Sequence, residues 1–168
     1  MKVFQKVLII LAYSAFILSA ATPASPEARA KAICGDLGIL DITTVPDGVE
    51  PSELRLCANH PMGRNRNLDP KKGASLAPGG EGYYDDITPA DSANLLSERF
   101  CSYSAPYGCE GKWCWKTCGN NGQWCWTAWA KGTGAWRGCK TWRDCGTDNT
   151  NYGCGKNCNV PGNCGCSC

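Results

Sequence analysis

Histidine is nearly absent from this sequence, since His60 is the only one in 168 residues. Long apolar runs are also absent after residue 18, where no stretch approaches the roughly 20 apolar residues that a membrane-spanning helix needs. The formal net charge is only +2, so the composition gives no argument for nucleic-acid binding. These absences argue against a membrane-spanning protein and give no support for nucleic-acid binding.

Candidate catalytic groups are correspondingly few. His60 precedes Pro61 in a predicted loop, and it would have to serve any serine or cysteine nucleophile alone. We therefore interpret it as a surface histidine. Glu81, Asp85, Asp86 and Glu98 are the carboxylates considered for an acid and base pair in glycoside hydrolysis. Their spacing singles out no pair. The sequence therefore predicts no catalytic residue, no cofactor and no enzyme activity.

The N-terminal residues 1–21 have the organisation of a secretory signal peptide. Lys2 and Lys6 are basic, Val7 to Leu18 form a short apolar run, and Ser19 to Ala21 are small enough for cleavage. We therefore expect a secreted, extracellular protein.

Cysteine is abundant, with 14 residues that all follow the predicted signal peptide. In an oxidising compartment these thiols pair rather than stay free, and an even number permits complete pairing. The spacing leaves the connectivity open, although Cys34 and Cys57 most simply pair with each other; the alternative is that one or both join this half to the second. The predicted disulfide cysteines are Cys34, Cys57, Cys101, Cys109, Cys114, Cys118, Cys125, Cys139, Cys145, Cys154, Cys158, Cys164, Cys166 and Cys168.

Composition divides the exported chain into three parts. Residues 22–33 form a predicted flexible leader, residues 34–100 a loop-rich segment with a helix near 89–100, and residues 101–168 a cysteine-rich domain stabilised by disulfides. From residue 22 to 100 the acidic side chains outnumber the basic ones by four, and from 101 to 168 the basic ones are in excess by four. The opposite charges favour contact between the two halves, or a basic surface on the second.

Within the loop-rich segment a few local elements are predicted. Ile39 to Val45 is a candidate strand because of its β-branched residues, and Ser52 can cap a short helix. Asn59 to Tyr84 is dense in Gly, Pro and charge, which predicts a long surface loop. Lys71 and Lys72 in that loop are interpreted as solvated lysines, with a processing site as the alternative.

A repeated Trp-Cys-Trp pattern organises the cysteine-rich domain. GKWCWKT begins at Gly111 and GQWCWTA begins at Gly122, and alternation in a strand places each Cys opposite its two Trp neighbours. Gly119 to Gly122 can supply the turn of a β-hairpin over residues 112–129. The predicted fold class is therefore a small, disulfide-rich, mainly β protein with one or two short helices.

The indoles form the candidate binding face. Each Trp can bury about 150–250 Å², so burial competes with exposure to a ligand. Candidate partners are a cell-wall glycan, a membrane surface or a protein receptor, and no nucleic acid is expected. The residues of this candidate face are Trp113, Trp115, Trp124, Trp126, Trp129 and Trp136.

Two outcomes are possible for this face. It is either covered by the segment before Cys101, for which we name Leu95, Leu96 and Phe100 of the predicted helix, or exposed as an interaction site. We expect a mixed result. At least one of Trp113 and Trp126 should be buried, and at least one of Trp129 and Trp136 should be accessible beside Lys131 or Arg137.

The C-terminal tail combines Cys-x-x-x-Cys at Cys154 with alternating cysteines from Cys164 to Cys168. This is the spacing of cysteine-stabilised αβ scaffolds, although the predicted hairpin favours a strand where such a scaffold has a helix. Thiolates at Cys-x-Cys spacing also chelate soft metals. Export and the dense tryptophans favour disulfides instead, so we predict no metal.

The segment FCSYSAPYGCEGKWCWKTCGNNGQWCWTAWAKGTGAWRGCKTWRDC and the terminal CGCSC resemble the fungal small secreted cysteine-rich proteins induced during heterokaryon (vegetative) incompatibility. Relatives of that family also occur among secreted effector candidates. The resemblance covers Phe100 to Cys168. It implies secretion and a link to programmed cell death between unlike fungal individuals, with a secreted effector, toxin-like or antimicrobial role as the alternative. It implies no catalytic residue.

Overall fold

The computed structural model describes residues 25–43, 45–66, 71, 73–79, 101–102, 105–147, 150–160 and 163–168. The predicted signal peptide and the predicted helix near 89–100 lie outside the described residues. No helix among those described is long and apolar enough to cross a bilayer.

A five-stranded antiparallel sheet forms the centre of the protein. Its strands pair in chain order, so each strand contacts the next along the sequence. The strands are β1 (Ser75–Leu76), β2 (Tyr107–Glu110), β3 (Trp113–Thr117), β4 (Trp124–Trp129) and β5 (Tyr152–Cys154). The small, disulfide-rich, mainly β fold predicted from the sequence is confirmed.

The predicted hairpin is present as β3 and β4, with Trp115 opposite Trp126 and Thr117 opposite Trp124. A second hairpin, which the sequence analysis missed, joins β2 to β3 through Gly111 and Lys112. Both turn residues have positive φ, at 53° and 69°. A two-residue hairpin turn needs this geometry because it matches the twist of the strands.

Alternation along the strands separates two chemically different faces. Trp115 and Trp126 lie on one face, which we call the indole face, together with Trp113 and Trp124. Cys114 and Cys125 lie on the opposite face, which we call the sulfur face. Trp129 shares the parity of Cys125 and therefore also belongs to the sulfur face.

All fourteen cysteines are paired. Cys34 is bonded to Cys57, as predicted, so this disulfide lies within the N-terminal segment. The remaining bonds are Cys101–Cys168, Cys109–Cys139, Cys114–Cys145, Cys118–Cys166, Cys125–Cys154 and Cys158–Cys164. Cys114 and Cys125 lie in β-strands, where a cysteine-stabilised αβ scaffold has its cysteines in a helix.

The N-terminal segment departs from two predictions. The flexible leader predicted over 22–33 is helical from Pro26, since α1 spans Pro26–Cys34 and Ser25 accepts the Ala28 N–H at its start. Ile39–Val45 is no strand in its described residues: Ile39 makes a single bridge to Cys57. The short helix expected here is present as a 3-10 turn over Pro51–Glu53, but its N-cap is Glu50 rather than the predicted Ser52, which lies inside the turn.

Candidate functional site

Segment 60–66 covers the indole face. We predicted a surface loop from Asn59 to Tyr84, and that is wrong for its first part. Trp126 donates its indole N–H to the Gly63 carbonyl at 2.6 Å, and Met62 packs against the core that contains Trp115 and Trp124. Its apolar Met62 and its cations Arg64 and Arg66 alternate along the segment. The Pro- and Gly-rich composition of the longer stretch led us to predict a solvated loop instead.

Two arginines of this segment lie flat on the buried indoles. The Arg64 guanidinium is 4.0 Å from the ring centroid of Trp124, and that of Arg66 is 4.2 Å from the centroid of Trp115. Arg64 also donates to the backbone carbonyls of Trp124 and Ser167. A desolvated cation over an indole contributes about 2 kcal/mol, so in the described part of the chain these arginines help to cover the indoles.

His60 lies at the centre of an aromatic cage. Its ring stacks on Trp126 and meets Trp113 and Trp136 edge to face, with centroid distances of 4.3, 5.5 and 4.7 Å. The residue is 1% exposed, so the predicted surface histidine is wrong. Burial first, and then the positive charge of Arg55, lower the pKa of His60 to about 3. The imidazole is therefore neutral at physiological pH, and its Nδ1 accepts the Met62 N–H.

Arg55 joins three distant parts of the chain. Its guanidinium donates to the carbonyls of Ala58, Gly132 and Lys156 and stacks 4.2 Å from the Trp136 centroid. Burial lowers its pKa to about 10, which still leaves it protonated at neutral pH. A planar fork with five N–H donors suits a ring of carbonyls, whereas an ammonium does not. The role of Arg55 is therefore structural: it holds these parts of the chain together.

The six tryptophans of the candidate face are not one surface. Trp115, Trp124 and Trp126 are at most 1% exposed and form the core, while Trp113 and Trp136 are partly buried against it. Trp129 is 44% exposed. The expected mixed result is observed, with Trp126 buried and Trp129 accessible beside Arg137.

Trp129 is the accessible indole on the sulfur face, and it stands at the end of β4. It contacts Tyr152 of β5 edge to face at 6.0 Å, and the Arg137 guanidinium lies 5.3 Å from its centroid. Arg137 is closer still to Tyr152, at 3.9 Å. The indole therefore has an edge-to-face contact with the Tyr152 ring and carries the Arg137 cation over one of its two faces.

Arg137 also reaches the loop 140–144, which carries further charge and aromatic surface. It donates to the Asp144 carbonyl, and the neighbouring Arg143 lies 4.7 Å from the Trp142 centroid. The Asp144 carboxylate accepts the backbone N–H groups of Thr141 and Lys140, which lower its pKa. We call Trp129, Arg137, Lys140, Trp142 and Arg143 the Trp129 patch.

Sulfur atoms gather in two groups, Cys114 with Cys139 and Cys145, and Cys118 with Cys125 and Cys154. Every one of these sulfurs is in a disulfide. A disulfide sulfur has no thiolate to offer, so the described clusters are crosslinks on the sulfur face of the sheet.

We did not predict Arg55, Arg64, Arg66 and Tyr152 as partners of the indoles. One feature of the sequence could have indicated them: few aliphatic residues accompany the seven tryptophans, which leaves aromatic faces for cations to cover. The carboxylates Glu81, Asp85, Asp86 and Glu98 lie outside the described residues.

Comparison with protein-family models, curated proteins and solved structures finds no match to this chain.

Proposed function

We propose that this chain is a secreted, non-enzymatic cysteine-rich protein that acts in fungal heterokaryon incompatibility and its cell-death response. The observation that carries the proposal is the pairing of all fourteen cysteines into seven disulfides. Such dense crosslinking suits an oxidising, extracellular environment. The incompatibility role rests on the resemblance of residues 100–168 to proteins induced in that response.

The environment of His60 supports a non-enzymatic role. Three indoles surround its ring, and burial lowers its pKa to about 3. A general base needs a pKa near the working pH and a path to the substrate proton. His60 has neither, so its role is to pack against the surrounding indoles.

The rival function is a secreted effector, toxin-like or antimicrobial protein that acts on a host or a competitor. The exposed Trp129 beside Arg137 favours it, because an accessible indole with a neighbouring cation suits a binding surface. Both functions need a compact, protease-resistant scaffold.

Transcript measurement separates the two functions. Incompatible fusions should raise the transcript above the level in compatible fusions of the same strains, and growth on a host should not. Induction on a host with a flat response to fusion would replace the first function by the second.

The secreted form itself tests export and oxidation. Mass spectrometry of culture fluid should find a chain that begins near residue 22, with a mass lower by 14 hydrogens than its reduced form. Incubation with cell-wall polymers should release no sugars beyond those released by the reduced and alkylated protein. Free thiols, or release that needs the native fold, would contradict the proposal.

A further inference from the structure

The Trp129 patch combines one accessible aromatic plane with an excess of positive charge. Trp129 is 44% exposed, and Arg143 and Lys140 are exposed in the adjoining loop. Among the described residues of this region the opposing charge is Asp144, whose Oδ2 accepts two backbone N–H groups at 2.7 and 2.9 Å. In this described part Arg137, Lys140 and Arg143 therefore outnumber one carboxylate that is turned toward its own loop.

Arg137 fixes the relative position of the two ends of the patch. Its guanidinium lies over the rings of Tyr152 and Trp129, 3.9 and 5.3 Å from their centroids, and donates to the backbone carbonyl of Asp144. Cys139 and Cys145, which flank the loop, are bonded to β2 and β3. The indole and the cations of the loop are therefore held on one rigid framework, which reduces the entropy lost on binding.

From this arrangement we propose that the Trp129 patch binds a carboxylate-bearing polysaccharide, that is, a chain of uronic acid residues. The apolar face of a sugar ring stacks on the face of Trp129 opposite Arg137, while Arg143 and Lys140 bind carboxylates of neighbouring sugars. A guanidinium fork matches a carboxylate in geometry and charge. The proposal rests on the proposed extracellular role in one respect only, namely that a secreted protein encounters such a polymer.

Charge and apolar surface favour a glycan over a membrane. Interfacial membrane binding needs several apolar side chains that enter the lipid together. Trp129 is the one large exposed apolar residue of the patch. The other large exposed apolar residues of the described chain are Ile33, Ile42, Leu56 and Val160, and they belong to neither β4 nor the loop 140–144.

The probe is polygalacturonate of defined length, titrated into the oxidised full chain and followed by calorimetry. The matched probe is the same polymer with its carboxylates methyl-esterified, which keeps the sugar rings and removes the charge. Polygalacturonate should bind, with an affinity that falls as ionic strength rises, and the ester should bind at least about tenfold more weakly.

Two variants locate the site. Trp129→Leu keeps an apolar strand residue but removes the aromatic plane, and it should weaken binding about tenfold. Arg143→Gln should weaken binding less and reduce its salt dependence. Val160→Ala and Arg29→Gln make comparable changes at exposed positions elsewhere and should bind like the wild type. Arg143 is exposed, so its variant remains informative if Trp129→Leu fails to fold.

Several results would overturn the proposal. These are equal affinity for the esterified polymer, wild-type affinity in both patch variants, or binding only to phosphatidylserine vesicles, which would identify a membrane surface instead. The proposed incompatibility role fails separately, through a transcript that does not respond to fusion. Polygalacturonate binding by the purified chain is independent of that result.

Discussion

His60 lies flat against Trp126, with ring centroids 4.3 Å apart and ring planes within 5° of parallel. The contact joins segment 60–66 to the centre of β4, and the chain's one histidine is almost completely buried there. Because burial lowers the pKa of His60 to about 3, the native state favours the neutral ring. Folding and proton binding are therefore coupled at this residue.

The first prediction concerns acid stability. An unfolded histidine has a pKa near 6.5 and the native one near 3, so between these values the unfolded state binds a proton that the native state does not. The stability from neutral His60 is fully present above about pH 6.5 and is lost as the pH falls toward 3, by about 1.4 kcal/mol per unit. Urea unfolding across this range measures it.

His60→Phe is the matched variant, since it keeps an aromatic ring but cannot titrate. It should lose about 1 kcal/mol at pH 7 through the missing acceptor for the Met62 N–H. Its stability should then fall less steeply with acid than that of the wild type. Asp41 and Asp144 also have lowered pKa values, but they titrate in both proteins and cancel in the comparison. Parallel pH curves would contradict the prediction.

The second prediction concerns Arg55. Arg55→Met should reduce the free energy of unfolding by about 3 kcal/mol, because it leaves the carbonyls of Ala58, Gly132 and Lys156 without their charged donor. Arg55→Lys should recover only part of the loss, since an ammonium cannot reproduce the fork. Chemical denaturation with intact disulfides measures both variants.

Arg143→Lys is the control for Arg55, because Arg143 is exposed. Its effect on stability should stay within about 0.5 kcal/mol. Wild-type stability in Arg55→Lys would mean that the guanidinium geometry is unimportant and that only the charge matters.

The hairpin was predictable from the sequence because its information is local. Alternation of Trp and Cys fixes which side chains share a face, and the glycines between the two repeats mark the turn. The structure has this arrangement, with Trp115 opposite Trp126. The pairing of Cys34 with Cys57 was predictable for the related reason that these are the two cysteines outside the cysteine-rich domain.

The cover of the indole face was not predictable in the same way. We looked for aliphatic residues and named Leu95, Leu96 and Phe100, which lie outside the described residues. The described cover is His60, Met62 and two arginines in a stretch rich in Gly and Pro. Apolar periodicity does not detect a guanidinium that lies flat on an indole, because a hydrophobicity pattern counts an arginine as a solvated charge. The pairing of the twelve later cysteines is likewise a property of the folded sheet.

The third prediction concerns the contact between Gly155 and Trp136. A methyl group at Gly155 would overlap the six-membered ring of Trp136. That ring also lies against Arg55 and His60, so it has little room to move. Gly155→Ala should therefore reduce the free energy of unfolding by about 2 kcal/mol. Thermal unfolding of the oxidised protein measures the change.

Gly138→Ala is the matched control, since a methyl group there would have its nearest neighbour, the Lys112 carbonyl oxygen, at 3.7 Å. It should have little effect. Trp136→Leu combined with Gly155→Ala should be less destabilised than the two single changes add up to, because the smaller side chain leaves space for the methyl group. Additive losses would show that the steric contact is not the cause.

The last prediction concerns the unequal accessibility of the tryptophans. Trp115, Trp124 and Trp126 are at most 1% exposed, whereas Trp129 is 44% exposed. Iodide does not enter a packed core, so Trp129→Phe should remove the largest share of the iodide-quenchable fluorescence. Trp115→Phe should leave that share unchanged. Stability should follow the opposite order, because a buried Trp→Ala change costs about 3–5 kcal/mol, and Trp126→Ala should therefore destabilise the protein far more than Trp129→Ala. If Trp129→Phe left iodide quenching intact, Trp129 would be covered in solution and could not serve as a stacking surface.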